Sequence, residues 1–143
     1  MKIAIRTDSS FQIGTGHVIR CLTLARELEK FGHKCKFICR DLRGNLNLLI
    51  AKEFQLEILP KPELSYFSKD ISNVKHESWA EIDWQSDAFQ TRAKLKEIDL
   101  IICDHYSFDW RWELIISKCG VKIMVIDDLA DRKHKCNLLL DAT

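Results

Sequence analysis

The chain has 143 residues, 46% of them hydrophobic and 30% charged, with a net charge of +1. That is one globular domain with room for a core, and its near-neutral charge excludes a field that would draw it to nucleic acid or a membrane surface. No apolar run approaches the roughly 20 residues of a transmembrane helix, and the start of the chain turns polar too early for a signal peptide, so a cytoplasmic location is expected.

Lys2–Arg6 reads as a first strand. His17–Phe31 has the apolar spacing of an amphipathic helix through Val18, Cys21, Leu22, Leu24, Ala25 and Leu28, and Gly32 stands where a C-cap glycine stops a helix. Lys34–Cys39 alternates as a second strand, Asn45–Phe54 is a short helix, and Leu56–Leu59 is a third strand ended by Pro60 and Pro62. Residues 60–84 show no clean period but hold Tyr66, Phe67, Trp79 and Trp84, and a loop of that length inside a compact domain is usually functional or mobile. Ser86–Ile98 reads as a helix, Asp99–Asp104 as a strand apolar on both faces, and Asp109–Lys118 as a helix ending at Gly120. Trp110 and Trp112 are too close to face one way, so one is expected in the core and the other at the surface. Lys122–Ile126 and Leu138–Leu140 complete six strands.

Strands separated by helices imply right-handed βαβ units and an α/β fold, a parallel sheet with helices on both faces. Ligands bind such sheets beyond the carboxyl ends of the strands. Three polar clusters fall there: Asp8–His17 after the first strand, Asp104-His105-Tyr106 after the fourth and Asp127-Asp128 after the fifth.

The first cluster is the most informative. Gly14 and Gly16 let backbone N–H groups approach a ligand, the helix start adds a positive dipole end, and His17 sits on its first turn as a candidate general base. A dinucleotide fingerprint is excluded because Ile19 stands where a third glycine is needed, and no Gly-Lys-Ser/Thr makes a P-loop. Ser9 and Ser10 lack the elbow of a nucleophilic serine and are expected to cap a turn or donate to a ligand. Asp104 either satisfies nearby backbone N–H groups or orients a partner such as His17, with Tyr106 lining the pocket. Asp127, Asp128 and Asp131, with Arg132 and His134 following, read as ion pairing at the domain edge. The six cysteines form no C-x-x-C pair, so buried reduced thiols are expected and no metal or cofactor is implied.

Arg6-Thr7-Asp8-Ser9-Ser10, Ile13–Ala25, Asp104-His105-Tyr106 and Ile126–Arg132 occur together and in order. Jointly they resemble the UDP-2,4-diacetamido-2,4,6-trideoxy-β-L-altropyranose hydrolase family of pseudaminic acid biosynthesis, related to a spore-coat polysaccharide family. The resemblance implies an inverting GT-B architecture of two Rossmann-like domains, with a UDP-sugar in the cleft and water as acceptor. It implies that residues 1–143 are the N-terminal domain carrying the base, and that the UDP-binding second domain lies outside them. By the same resemblance His17 is the base and Tyr106 lines the site. Asp8, Ser9, Gly14, Thr15 and Gly16 are expected to contact substrate, with Asp104 and Asp127 in support. Two alternatives stand beside this: the donor half of a glycosyltransferase, and a non-catalytic nucleotide-binding or partner-docking module. A surface built to face a second domain is expected to be apolar near the carboxyl edge, including residues after Asp131.

Overall fold

The computed structural model describes residues 1–63 and 74–141. Strands β1 (Lys2–Thr7), β2 (Lys34–Arg40), β3 (Gln55–Leu59), β4 (Leu100–Asp104), β5 (Lys122–Ile126) and β6 (Leu138–Leu140) form one sheet of order β3-β2-β1-β4-β5-β6. Every strand pair is parallel. Helices α1 (Gly16–Lys30), α2 (Asn47–Ala51), α3 (Trp84–Arg92) and α4 (Trp110–Ser117), with a 3₁₀ turn at Glu77–Ala80, connect them. This is a Rossmann-like sheet. Its strand order reverses between β1 and β4, which opens the crevice where such sheets take ligands.

The two faces carry separate cores because alternate strand residues point to opposite sides. Ile3, Ile5, Phe37, Cys39 and Ile102 pack under Val18, Cys21, Leu22 and Ala25 of α1 and Ile50 of α2. Ala4, Ile38, Ile101, Cys103, Ile123 and Val125 pack under Ala88 of α3 and Trp112 and Ile116 of α4. Trp112 is fully buried and Trp110 is 43% exposed, the division expected from their spacing. Cys21, Cys35, Cys39 and Cys103 are buried free thiols.

Helix α1 ends as its glycine demands. Gly32 takes φ +89°, its N–H bonds Glu29 O at 3.0 Å, and His33 N–H bonds Leu28 O at 3.2 Å. Helix α2 is shorter than its apolar pattern, because Asn45 Oδ1 accepts from Asn47 N–H at 2.9 Å and makes a side-chain turn before it. Helix α3 departs most from expectation. It starts earlier, at Trp84, where Asp83 Oδ2 caps Ser86 N–H at 2.8 Å, and it stops at Arg92 instead of Ile98. Lys94, Leu95 and Ile98 each bond the carbonyl three residues back, so the chain tightens into short turns that fold Leu95 into the core. Of the aromatic residues in the long connection, Trp79 and Trp84 are described; Tyr66 and Phe67 lie outside the described residues.

Candidate functional site

The loop from Asp8 to Thr15 leaves the carboxyl end of β1 and opens α1. Gly14 takes φ +82° and donates its N–H to Ser10 O at 2.8 Å, and Ser10 Oγ accepts from Ile13 N–H at 2.9 Å. Ser9 Oγ accepts from Leu46 N–H at 2.8 Å, tying the loop to the start of α2. Ser10 therefore caps a turn and Ser9 ties two loops together, and both are buried. Thr15 and Gly16 are exposed at the helix start, and Gly14 is half-buried. That end of α1 has no side-chain cap, so its first N–H groups are the loop's available donors.

His17 is 8% exposed, on the first turn of α1. Its Nδ1 lies 2.6 Å from Asp104 Oδ1, at the carboxyl end of β4. Because β1 and β4 are neighbours, this pair straddles the point where the strand order reverses. Arg20, one turn along α1, binds the same carboxylate through Nε at 2.5 Å and Nη2 at 2.6 Å. Cys21 Sγ adds a weak donor at 3.4 Å. Burial opposes ionisation of Asp104, but the bonds from Arg20 and His17 outweigh it and hold its pKa below the usual carboxylate range. An ionised Asp104 accepts the Nδ1–H of His17.

Tyr106 stands edge-on to His17, with ring centroids 4.4 Å apart and planes at 81°. Its hydroxyl donates to Asp128 Oδ1 at 2.6 Å. Burial, and then that carboxylate, push the phenol up to about 12, so Tyr106 is a neutral donor at physiological pH. The rings of His76 and Trp79 lie 5.7 and 6.0 Å from that of Tyr106.

Asp8 and Asp127 are buried and fully engaged. Asp8 takes Arg6 Nη1 and Nη2 at 2.7 and 3.0 Å, Arg40 N–H at 2.7 Å and His105 Nε2 at 2.9 Å. Asp127 takes Leu129 N–H at 3.0 Å and His134 Nε2 at 2.8 Å. Both carboxylates are spent on holding loops in place, so Asp8 and Ser9 lie beneath the surface on which Thr15, Gly16 and Tyr106 are accessible. Asp127, Arg132 and His134 form the edge ion pairing expected from their order, with Arg132 Nη2 at 3.1 Å from Asp127 Oδ1.

The sequence places Asp128 in one of the three polar clusters at the carboxyl edge but gives no site role to Arg20, His76 or Trp79. Arg20 lies three residues past His17, the spacing that puts two side chains on one helix face. Trp79 shows in the sequence only as one aromatic residue of the long connection between residues 60 and 84. A shallow cavity of about 170 Å³, lined by Lys2, Lys34, Lys36 and Lys96 among others, sits at the amino ends of the strands. Ligands of such sheets bind at the other edge, and Lys2 and Lys36 are engaged by Glu97 and Glu57. The chemistry-bearing groups are with His17.

The sheet order defines a Rossmann-like domain, and the carboxylate-held histidine over its switch point marks a candidate site at its carboxyl edge. No family model matches the chain. It is 30% identical over 142 residues to UDP-2,4-diacetamido-2,4,6-trideoxy-beta-L-altropyranose hydrolase of Campylobacter jejuni. That match covers 99% of this chain and 41% of the relative, whose N-terminal part it corresponds to. A second match, 64% identical, covers 31 residues of an uncharacterised protein of Methanocaldococcus jannaschii, 22% of this chain and 6% of that one. In fold, the chain is like MurG of Acinetobacter baumannii, with a TM-score of 0.54 at 11% identity, over 89% of this chain and 34% of MurG. The likeness is one of fold alone, and it is the fold expected for the N-terminal half of a GT-B molecule.

Proposed function

We propose that this domain carries the base of a UDP-sugar hydrolase, acting on a UDP-linked 2,4-diacetamido-2,4,6-trideoxy sugar together with a second, UDP-binding domain. The single observation that carries this reading is the His17–Asp104 contact of 2.6 Å at the first turn of α1, joined to the match along 99% of the chain with a hydrolase of such a sugar. In this reading His17 Nε2 takes a proton from water as the water oxygen bonds the anomeric carbon. The bond from that carbon to the diphosphate oxygen breaks on the opposite face, which inverts the centre. UDP leaves with the bonding electrons and needs little protonation, so no second carboxyl acid is required. Asp104 holds Nδ1 and balances the imidazolium that forms. Exposed N–H groups at Thr15 and Gly16 offer dipoles to diphosphate charge.

The test is UDP release with and without an added sugar acceptor, using this domain with a hydrolase-type second domain supplied fused or in trans. Acceptor-independent release is expected, with His17→Ala and His17→Asn slower by about 10² or more, the usual worth of a general base. Near-normal release by either variant removes His17 from the reaction. Release only with an acceptor makes the domain the donor half of a transferase.

A further inference from the structure

Tyr106 belongs to a group of half-buried rings that the proposed reaction has not used. His76 packs on Trp79 with centroids 4.2 Å apart, and both lean on Tyr106 at 5.7 and 6.0 Å. At 4.2 Å and a tilt of 36° the His76 ring lies over a face of Trp79, and Tyr106 flanks this stacked pair at tilts of 31° and 37°, so the three rings form an aromatic wall instead of an edge-to-face cluster. None of the three is fully buried. The segment that brings His76 and Trp79 here is held down. Ser107 Oγ donates to His76 O at 2.6 Å, Arg111 Nη2 lies 3.7 Å from Glu77 Oε1, and Ala80 is buried in the core. Burial, and then Lys75, hold the His76 imidazole below its ordinary pKa, which keeps its ring face uncharged.

We propose that Trp79 and His76 extend Tyr106 into a stacking platform for the pyranose ring of the substrate, taking the apolar face of a deoxygenated, N-acetylated sugar. The proposal rests on His17 as base, because the position of the base decides what lies against these rings. Tyr106 touches the His17 ring at 4.4 Å, and His17 must reach the water at the anomeric carbon. The group beside that carbon is the sugar; the uracil lies a diphosphate and a ribose further off. A sugar with a methyl group at C6 and acetamido groups presents C–H and methyl surface, which suits an aromatic face, whereas a fully hydroxylated hexose presents more polar surface to the same rings. Trp79 is thus a specificity-determining residue, separate from the proton transfer.

The isolated 143-residue chain suffices for the test, since binding to one wall is what is read. ¹⁵N-labelled protein is titrated with 2-acetamido-2,6-dideoxyglucose, with N-acetylglucosamine and with UDP, following the four tryptophan indole signals. Trp79 is assigned by loss of its signal in Trp79→Phe. The deoxy sugar is expected to shift the Trp79 signal, N-acetylglucosamine to do so more weakly and UDP not at all. Trp79→Ala should weaken the sugar response, read at backbone amides near Tyr106, by about tenfold. Trp79→Phe should retain most of it, and Trp110→Phe should leave it unchanged. A Trp79 response to UDP but not to sugar would make this a uracil platform and overturn the proposal. So would no response to any of the three, or an unchanged sugar response in a folded Trp79→Ala. A sugar response in a protein whose two-domain form releases no UDP would sink the hydrolase reading and leave the platform standing.

Discussion

Three histidines at the carboxyl edge meet three different sets of partners at their nitrogens. At His17 a carboxylate faces Nδ1 at 2.6 Å. At His105 the Ser107 N–H donates to Nδ1 at 3.1 Å, so the proton sits on Nε2 and is given to Asp8. Burial then keeps that ring below its ordinary pKa in spite of Asp8. At His134 both nitrogens meet carboxylates, Glu113 at 2.6 Å and Asp127 at 2.8 Å. Burial opposes its charge, but the two carboxylates outweigh it and raise the pKa above its ordinary value of 6.5. A histidine whose pKa is raised by folding stabilises the fold fully below its unfolded value, and that contribution fades as pH rises through the folded one. Thermal melts between about pH 5 and 9 should therefore show the wild type losing its advantage over His134→Gln as pH rises from the lower end. A difference between the two that does not vary with pH would mean His134 is not charged in the fold. Local sequence does not distinguish these three residues, because a carboxylate that faces each one comes from 21 to 97 positions away.

Helix α3 carries the residue that locks the sheet to its lower layer. Asp87 is buried and accepts from Arg6 Nη2 at 2.6 Å, Arg40 Nη2 at 2.9 Å, Trp112 Nε1 at 2.9 Å and Thr91 Oγ1 at 3.1 Å. Strand β1, strand β2, α3 and α4 thus meet on one carboxylate. The surrounding guanidinium groups hold its pKa far below the carboxylate range against the cost of burial. Arg6 closes the circuit through Asp8, which in turn bonds His105, so the network reaches the loop beneath His17. Asp87→Ala would leave Arg6 without half its compensation and Arg40 without its carboxylate inside the core. Removing one partner of such a buried pair costs about 3–5 kcal/mol. Denaturant unfolding should show a loss of that order, against under about 0.5 kcal/mol for an exposed control such as Glu27→Ala. A loss of less than about 1 kcal/mol would show that water or rearrangement replaces the carboxylate. The apolar pattern locates α3 but gives no hint of this role, since Arg6, Arg40 and Trp112 reach Asp87 from three other elements.

The sheet ends at β6, beyond β5. Strand β6 exposes Leu138 at 58%, Leu139 at 52% and Leu140 at 41%, and because successive strand residues face opposite ways, neither face of β6 is covered among the described residues. Leu129 and Phe11 add apolar exposure at the carboxyl edge. The chain spans 41% of the length of the curated relative it matches. A site at the carboxyl edge with one wall loses water exclusion and half its contacts. This domain alone should therefore fold, yet release UDP from a UDP-sugar slowly or below detection, and a second domain in trans should restore release. Calorimetry with UDP and a coupled release assay measure both. Tight UDP binding with brisk hydrolysis by the single domain would place the whole site on this wall.

The order of strands and helices, the parallel sheet, the glycine turn and the position of His17 at its edge were all legible in the residue pattern. Each rests on local rules: apolar period, helix-stopping Gly32, and the geometry of a strand running into a helix. The pairing of His17 with Asp104 could be named but not placed, because the residues are 87 positions apart and meet only when β4 lies beside β1. Which acidic groups face solvent and which are consumed inside was decided by the tertiary structure alone. Asp8, Asp87 and Asp127 look like their exposed counterparts in sequence, and only the folded partners Arg6, Arg40 and His134 make their burial tolerable. The short α3 and the ring surface around Trp79 belong to the same category. A helix end set by the need to bury Leu95, and a loop held by Ser107 and Arg111, depend on contacts that no local period encodes.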